Sequence, residues 1–309
     1  MLLTSLLNAL PGAVALGLIW GLMAIGVYIT YKILDIADLS VDGSICTGGA
    51  VCAVMMTNGY NAWISMLVAL LAGMLAGLAT GIFHVFMGIP PILAGILTQL
   101  SLYSVNLKIL SGPNVSLPTR NYDVLVSMQF LEDVPLYKNS ILVIGLILAV
   151  FIAILYWFFG TSLGCSIRAT GSNATMSKAQ GINTNMNKII ALVMSNGIVA
   201  FSGALLTQYQ GFADVNMGRG AVVIGLAAII IGEALFGRLF KNNFALKLLQ
   251  VGLGGIVYYV IYQVVIMLGT EPDMMKLFSA VVVAIFLAIP YLKSKYFKKA
   301  IVPRGGSHA

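Results

Sequence analysis

Arg168 and Lys178 stand in a polar stretch, residues 163–183, between two apolar runs each long enough to cross a bilayer. The small residues Ala169, Gly171, Ala174 and Ala179 permit close approach of another surface, and Ser172 or Asn173 can cap a helix start. A short helix of this kind lying on the membrane surface can fit a groove on a soluble partner. The same cations can instead attract anionic lipid. The chemistry on offer is docking, with no covalent step.

Three further polar groups interrupt apolar sequence. Asp38 and Asp42 flank a short, glycine-bearing run, 43–57, in which Gly43, Gly48 and Gly49 allow close helix approach or a broken helix lining a cavity. A carboxylate beside a membrane segment is expensive and points to function, although Asp38 can also cap a helix starting near Ser40. Gln208, Tyr209, Gln210, Asp214 and Asn216 lie at the end of the run 187–209, just before another short run, 221–237. Such residues can line a gate or sit in a wet loop beside lipid headgroups. Gln99, Ser101, Tyr103 and Asn106 give the run 92–110 a polar side, suited to pore lining or to interhelical hydrogen bonds.

Other chemistry lacks its parts. No G-x-x-x-x-G-K-[ST] loop occurs, so the chain does not hydrolyse ATP by that route. No paired carboxylates, His/Cys set or nucleophile with a base is found, which speaks against a membrane enzyme. Cys46, Cys52 and Cys165 have neither metal nor disulfide spacing, and His84 has no companion ligand nearby, so no metal site is expected. A transporter driven by protons or sodium needs ionisable groups at mid-membrane, and the deep runs offer almost none. Glu233 is the acid set deep in the later runs, and Arg238 is within reach as its partner.

The elements that must position these residues are membrane helices. With 60% hydrophobic and 9% charged residues, the chain has too little polar surface to cover a soluble core. Continuous apolar runs without alternation speak against a β-barrel, so the expected class is an all-α polytopic membrane protein. Spans are expected at 9–31, 62–86, 92–110, 140–159, 187–209, 244–269 and 276–292, with shorter ones at 43–57 and 221–237: about nine transmembrane or re-entrant helices. Gly73, Gly77 and Gly81, four apart, read as a packing face. The formal charge of +7 reads as topology rather than nucleic-acid binding. Lys293, Lys295, Lys298 and Lys299, then Arg238, Lys241 and Lys247, then Arg168, Lys178 and Lys188 place the C-terminus and the 163–183 stretch inside. Residues 111–139, with a short helix near 121–133, the region of Asp214 and 270–275 fall outside. Nine spans put the N-terminus outside; re-entry of 221–237 reverses that end. One permease domain, 1–300, is expected, with 301–309 resembling an appended protease-site remnant.

Three stretches carry a family resemblance. Gly164, Arg168, Ala169, Gly171, Asn173 and Ala179-x-Gly181-Ile182 resemble the cytoplasmic coupling loop of permeases in the branched-chain amino acid and ribose family of ABC importers. Asp38-Leu39-Ser40-Val41-x-Gly43-Ser44 resembles an early signature of the same permeases, with Asp42 standing between Val41 and Gly43 as a departure. Ser195-Asn196-Gly197 and the run 208–218, which includes Phe212, look like the subgroup associated with aromatic amino acid binding proteins. The resemblance covers most of 15–290. It implies a fold like the vitamin-B12-importer class of permease. It also implies a homodimer and two partners, a cytoplasmic ATPase holding ATP and Mg²⁺ and an extracellular or periplasmic substrate-binding protein. No cofactor is implied on this chain. It assigns ATPase coupling to Arg168, Ala169, Gly171, Ser172, Asn173, Lys178, Ala179 and Gly181. The pathway falls to Gln99, Asn196, Gln208, Tyr209, Gln210, Phe212, Asp214 and Asn216. Asp38, Ser40, Gly43 and Ser44 form the structural signature, and the implied solute is an amino acid, possibly aromatic.

Overall fold

The protein was analysed as a computed structural model, which describes residues 2–117, 122, 124–128, 139–237, 239–240 and 243–267, with 277, 280, 281, 284 and 288 as isolated positions. Most of the expected span 276–292, most of 121–133, the basic tail, Arg238 and Lys241 lie outside the described residues.

Among the described residues, six helices are long and apolar enough to cross a membrane. The first, α1 (Leu2–Tyr28), continues through a π-helical turn, Ile29–Ile33. The others are α3 (Ala62–Val85), α4 (Pro91–Leu110), α5 (Ser140–Gly160), α8 (Thr184–Gln210) and α10 (Phe244–Met267). Two are shorter: α2 (Val41–Thr57) and α9 (Ala221–Phe236). At 17 and 16 residues these reach about 25 Å at 1.5 Å per residue, short of a ~30 Å hydrocarbon layer. The 163–183 stretch folds as two helices, α6 (Ser162–Ser172) and α7 (Ala174–Ala179), where a single helical middle was expected. Asn173 breaks them, because its backbone is extended and its side-chain oxygen accepts from Met176 N–H at 2.9 Å as the α7 cap.

Helix α8 is the axis of the bundle. It is buried along most of its length and packs against α3, α2 and α1. Close approach explains the glycines on these neighbours. A Cβ on Gly48 of α2 would lie 1.8 Å from the Ala200 carbonyl oxygen of α8, and one on Gly77 of α3 would lie 2.3 Å from that of Leu192. The outward faces of α3 and α5 are apolar, with Leu67, Leu71, Leu75, Leu142, Leu146, Val150 and Ile154 all exposed. In water such faces would drive aggregation; they suit lipid. Exposed Tyr60 and Trp63 begin this belt on one side, and Tyr156 and Trp157 end it on the other, as headgroup-level aromatics do.

Contacts sort the loops into two ends. At one end, Asn114–Ser116 (β1) pairs antiparallel with Phe212–Asp214 (β2), Asn114 facing Asp214 and Ser116 facing Phe212. At the other end, α6 lies under the end of α1, and Lys188 reaches His84 at 3.3 Å. The His84 Nδ1 must donate to the Ile89 carbonyl, 2.9 Å away, so its Nε2 accepts from Lys188. Glu233 at this end pairs with Lys32 at 2.9 Å.

Candidate functional site: a broken-helix junction and a surface helix pair

The chain leaves α1 by a turn at Asp35, whose φ of 57° is one that Asp tolerates. Residues 36–39 then run without helical bonds back into the bundle, where α2 begins. Unpaired backbone at this depth is tolerated only inside protein. A closed polar cluster forms there. Asp38 Oδ1 accepts from the Ser40 N–H at 2.9 Å and the Ser40 hydroxyl at 2.5 Å. Asp38 Oδ2 accepts from the Asn196 amide at 2.8 Å. Asn196 Oδ1 takes the Ser44 hydroxyl at 2.5 Å, with the Ser40 hydroxyl 3.1 Å away. Ser40, Ser44 and Asn196 are fully buried, and Asp38 nearly so. Asn196 sits near the middle of α8, so this network fastens the start of α2 to the bundle axis. Each group satisfies another, which is the condition for holding polar atoms in an apolar interior.

Asp42, the residue that departs from the signature, does not disturb the backbone. It occupies the first turn of α2, and Gly43 and Ser44 follow as buried helical residues. Its carboxylate crosses to the other short helix. Oδ2 accepts from Gly220 N–H and Oδ1 from Val222 N–H, both at 3.0 Å. The α9 start has no side-chain cap of its own, since Gly220 stands at that position with φ 87°. Asp42 therefore caps α9 from α2, and one carboxylate faces the positive ends of both short helices. Beside it opens a cavity of about 390 Å³ lined by Gln99, Tyr103 and Asn106 of α4 as well.

The α6–α7 surface is organised differently. One side of α6 packs: Gly164, Ile167 and Thr170 are buried, and Asn187 of α8 donates to the Thr170 hydroxyl at 2.9 Å. Gly171 belongs to this side, for a Cβ there would meet the Ile33 carbonyl of the π turn. The other side is open. Arg168, Ser172, Asn173, Lys178 and Ala179 are exposed, Ala169 is half-buried, and Arg168 lies over the Phe244 ring at 5.6 Å. Gly181, with φ 81°, turns the chain into α8.

The residues of 208–216 divide. Gln208 and Tyr209 are buried: Gln208 accepts from Leu125 N–H at 3.0 Å, and the Tyr209 hydroxyl is 3.4 Å from the Gly12 carbonyl. Gln210 and Asp214 are half-buried, while Phe212 and Asn216 are exposed. Asp214 accepts from Asn216 N–H at 2.7 Å within its own turn. Among the described residues no His, Cys, Asp and Glu group of three could hold a metal.

Residues 10–289 match the family model described as "Branched-chain amino acid transport system / permease component". The chain belongs to this permease family. Among curated relatives, a tyrosine transport system permease protein of Clostridioides difficile (strain R20291) is 39% identical over 274 residues, 88% of each chain. An uncharacterised protein of Rickettsia prowazekii (strain Madrid E) is 34% identical over 91% of this chain and 98% of its own. A galactofuranose transporter permease of Escherichia coli (strain K12) is 29% identical over 87% of this chain and 75% of its own. No solved structure matches. The chain is thus a transport component and a multi-pass protein of a bacterial membrane.

In this permease several site residues carry no sequence signal. Arg219 joins Asp42 at the cavity, yet nothing in its neighbourhood of sequence marks it. Lys32 is the partner of Glu233 from 201 positions away. Gly220 was a legible pointer, because a glycine directly before an apolar helix offers no side-chain cap, so the free N–H groups need an acceptor oxygen from elsewhere.

Proposed function

We propose that this permease is the membrane subunit of an ABC importer that moves an amino acid, preferably aromatic, into the cell. Two copies enclose the pathway, each a single domain over 1–300 with a fold of the vitamin-B12-importer class. A separate cytoplasmic ATPase holds ATP and Mg²⁺, and an extracellular or periplasmic binding protein delivers the solute. The observation that carries the coupling role is the two-sided α6. Its exposed side offers Arg168 and, through α7, Lys178. Its buried side rests on the end of α1 and on α8. A push on the surface therefore reaches the π turn at the end of α1, which leads into the segment carrying Asp38, and α8, which carries Asn196. Tyrosine is the solute named for one relative, which supports the aromatic preference.

Reconstitution tests the reading. Proteoliposomes holding the permease and its ATPase partner should accumulate labelled L-tyrosine when ATP is on the α6–α7 side and the loaded binding protein on the other. Equal accumulation without ATP, driven by a proton or sodium gradient, would replace the importer with an ion-coupled carrier.

A further inference from the structure

The cavity between α2, α4 and the start of α9 holds more than a gate requires. Its wall carries one carboxylate, Asp42, and one guanidinium, Arg219. The described residues give Arg219 no ion pair with Asp42 or with any other acid. Asp42 gives acceptor positions to the α9 backbone at Gly220 and Val222, and the residue also lines the cavity. Arg219 keeps a planar fork of donors. A carboxylate at the side of a membrane bundle points to function, and the exposed guanidinium of Arg219 stands at the same cavity without an acid of its own among the described residues.

Asn106 supplies an independent sign of a ligand. The residue is 1% exposed, lines this cavity, and its Oδ1 has no hydrogen-bond partner. The orientation of the amide is fixed by its other end: Nδ2 points at the Gly43 carbonyl 3.4 Å away, and a flip would oppose two oxygens. A buried acceptor left open costs about 1–3 kcal/mol, so it calls for a donor from outside the chain.

From this arrangement we infer that the cavity is a binding site for a zwitterionic amino acid within the permease itself. Arg219 receives the α-carboxylate. Asp42, with the Asn106 oxygen, receives the α-ammonium. The side chain lies along Leu100 and Tyr103 of α4. A volume of about 390 Å³ falls in the range of small-molecule sites, roughly 300–1,000 Å³. A neutral sugar would leave both charges uncompensated, and a lone anion or cation would leave one. The inference rests on the amino-acid reading of the function and adds to it: the permease takes part in choosing the solute, after the binding protein.

The test uses the intact permease in lipid nanodiscs and saturation-transfer NMR with three probes. These are L-tyrosine, tyramine, which lacks the carboxylate, and 3-(4-hydroxyphenyl)propionate, which lacks the ammonium. L-tyrosine should bind at least about tenfold more tightly than either truncated probe, the scale of one charge-assisted contact. Arg219→Gln, a change at an exposed position, should bring L-tyrosine down to the level of tyramine, and Arg219→Lys should restore part of the difference. Asn106→Leu should weaken L-tyrosine and tyramine alike. Equal binding of all three probes, no binding at 10 mM, or Arg219→Gln binding L-tyrosine as wild type does would overturn the site. Uptake by the reconstituted complex separates the two claims. Wild-type uptake of L-tyrosine that Arg219→Gln leaves unchanged sinks the site and spares the importer. A wild-type complex that takes up no amino acid sinks the importer reading, and the nanodisc result then decides the site alone.

Discussion

The Asp38–Asn196 junction and the α6–α7 surface are both polar interruptions of an apolar chain, yet they are built on opposite principles. At the junction each polar atom bonds another buried group, and glycine brings the backbones together. On α6–α7 the polar heads of Arg168, Ser172 and Lys178 face outward, and Asn173 spends its side chain on a helix cap. The difference teaches where a change will be felt. Removing an atom from the junction leaves an orphan in low dielectric, whereas changing a head on the surface alters only what the surface can meet.

The sharpest break should come at the close contacts. Gly48→Leu must displace the α8 backbone at Ala200 and should cost more than about 4 kcal/mol. No monodisperse permease is then expected on size exclusion in mild detergent. Gly171→Glu should fail in the same assay, since Gly171 backs onto Ile33 although it lies in the surface pair. Survival of either variant would mean that the helices part more easily than their packing implies.

Next in size is the polar network. Asn196→Leu leaves Asp38 Oδ2 and the Ser44 hydroxyl without a partner and should destabilise by about 3 kcal/mol. Thermal unfolding in nanodiscs would show it as a clear fall in Tm. Arg168→Glu with Lys178→Glu should change Tm little, by less than about 0.5 kcal/mol for exposed positions. The pair should nevertheless lose the ATPase on co-purification. A large Tm fall there, with the ATPase retained, would reverse the comparison. A comparably small effect, read as Tm in nanodiscs, belongs to Lys32→Gln. Its ion pair with Glu233 has both side chains about half exposed, at 48% and 40%, and such pairs contribute about 0–1 kcal/mol.

Much of this architecture was legible in the sequence, for reasons that the same comparison explains. Apolar runs mark helices because lipid forces every backbone bond inside the segment, so 62–86 appears as Ala62–Val85 and 140–159 as Ser140–Gly160. The small and basic character of 163–183 likewise reads directly, because a surface is local in sequence. The junction is not local. Asn196 meets Asp38 across 158 positions, and Asp42 meets Gly220 across 178. Hydropathy carries no information on such pairings. The Gln208 amide illustrates the cost. A polar residue at a span end suggests an open pathway, but tertiary packing closes over it and gives it the Leu125 N–H. The pairing of β1 with β2 is hidden for the same reason.

In the proposed importer, α6–α7 is the surface through which a cytoplasmic ATPase would move the junction. Ser177 is buried and would make a poor probe, whereas Ala179 is exposed on the same short helix. Cys165 is exposed as well and must first be replaced by Ser, while Cys46 and Cys52 are buried. In that background Ala179→Cys should react with an impermeant maleimide only in inverted membrane vesicles, and assembly with the ATPase should protect it. Labelling of that cysteine in intact cells, or labelling that the bound ATPase does not diminish, would contradict the account.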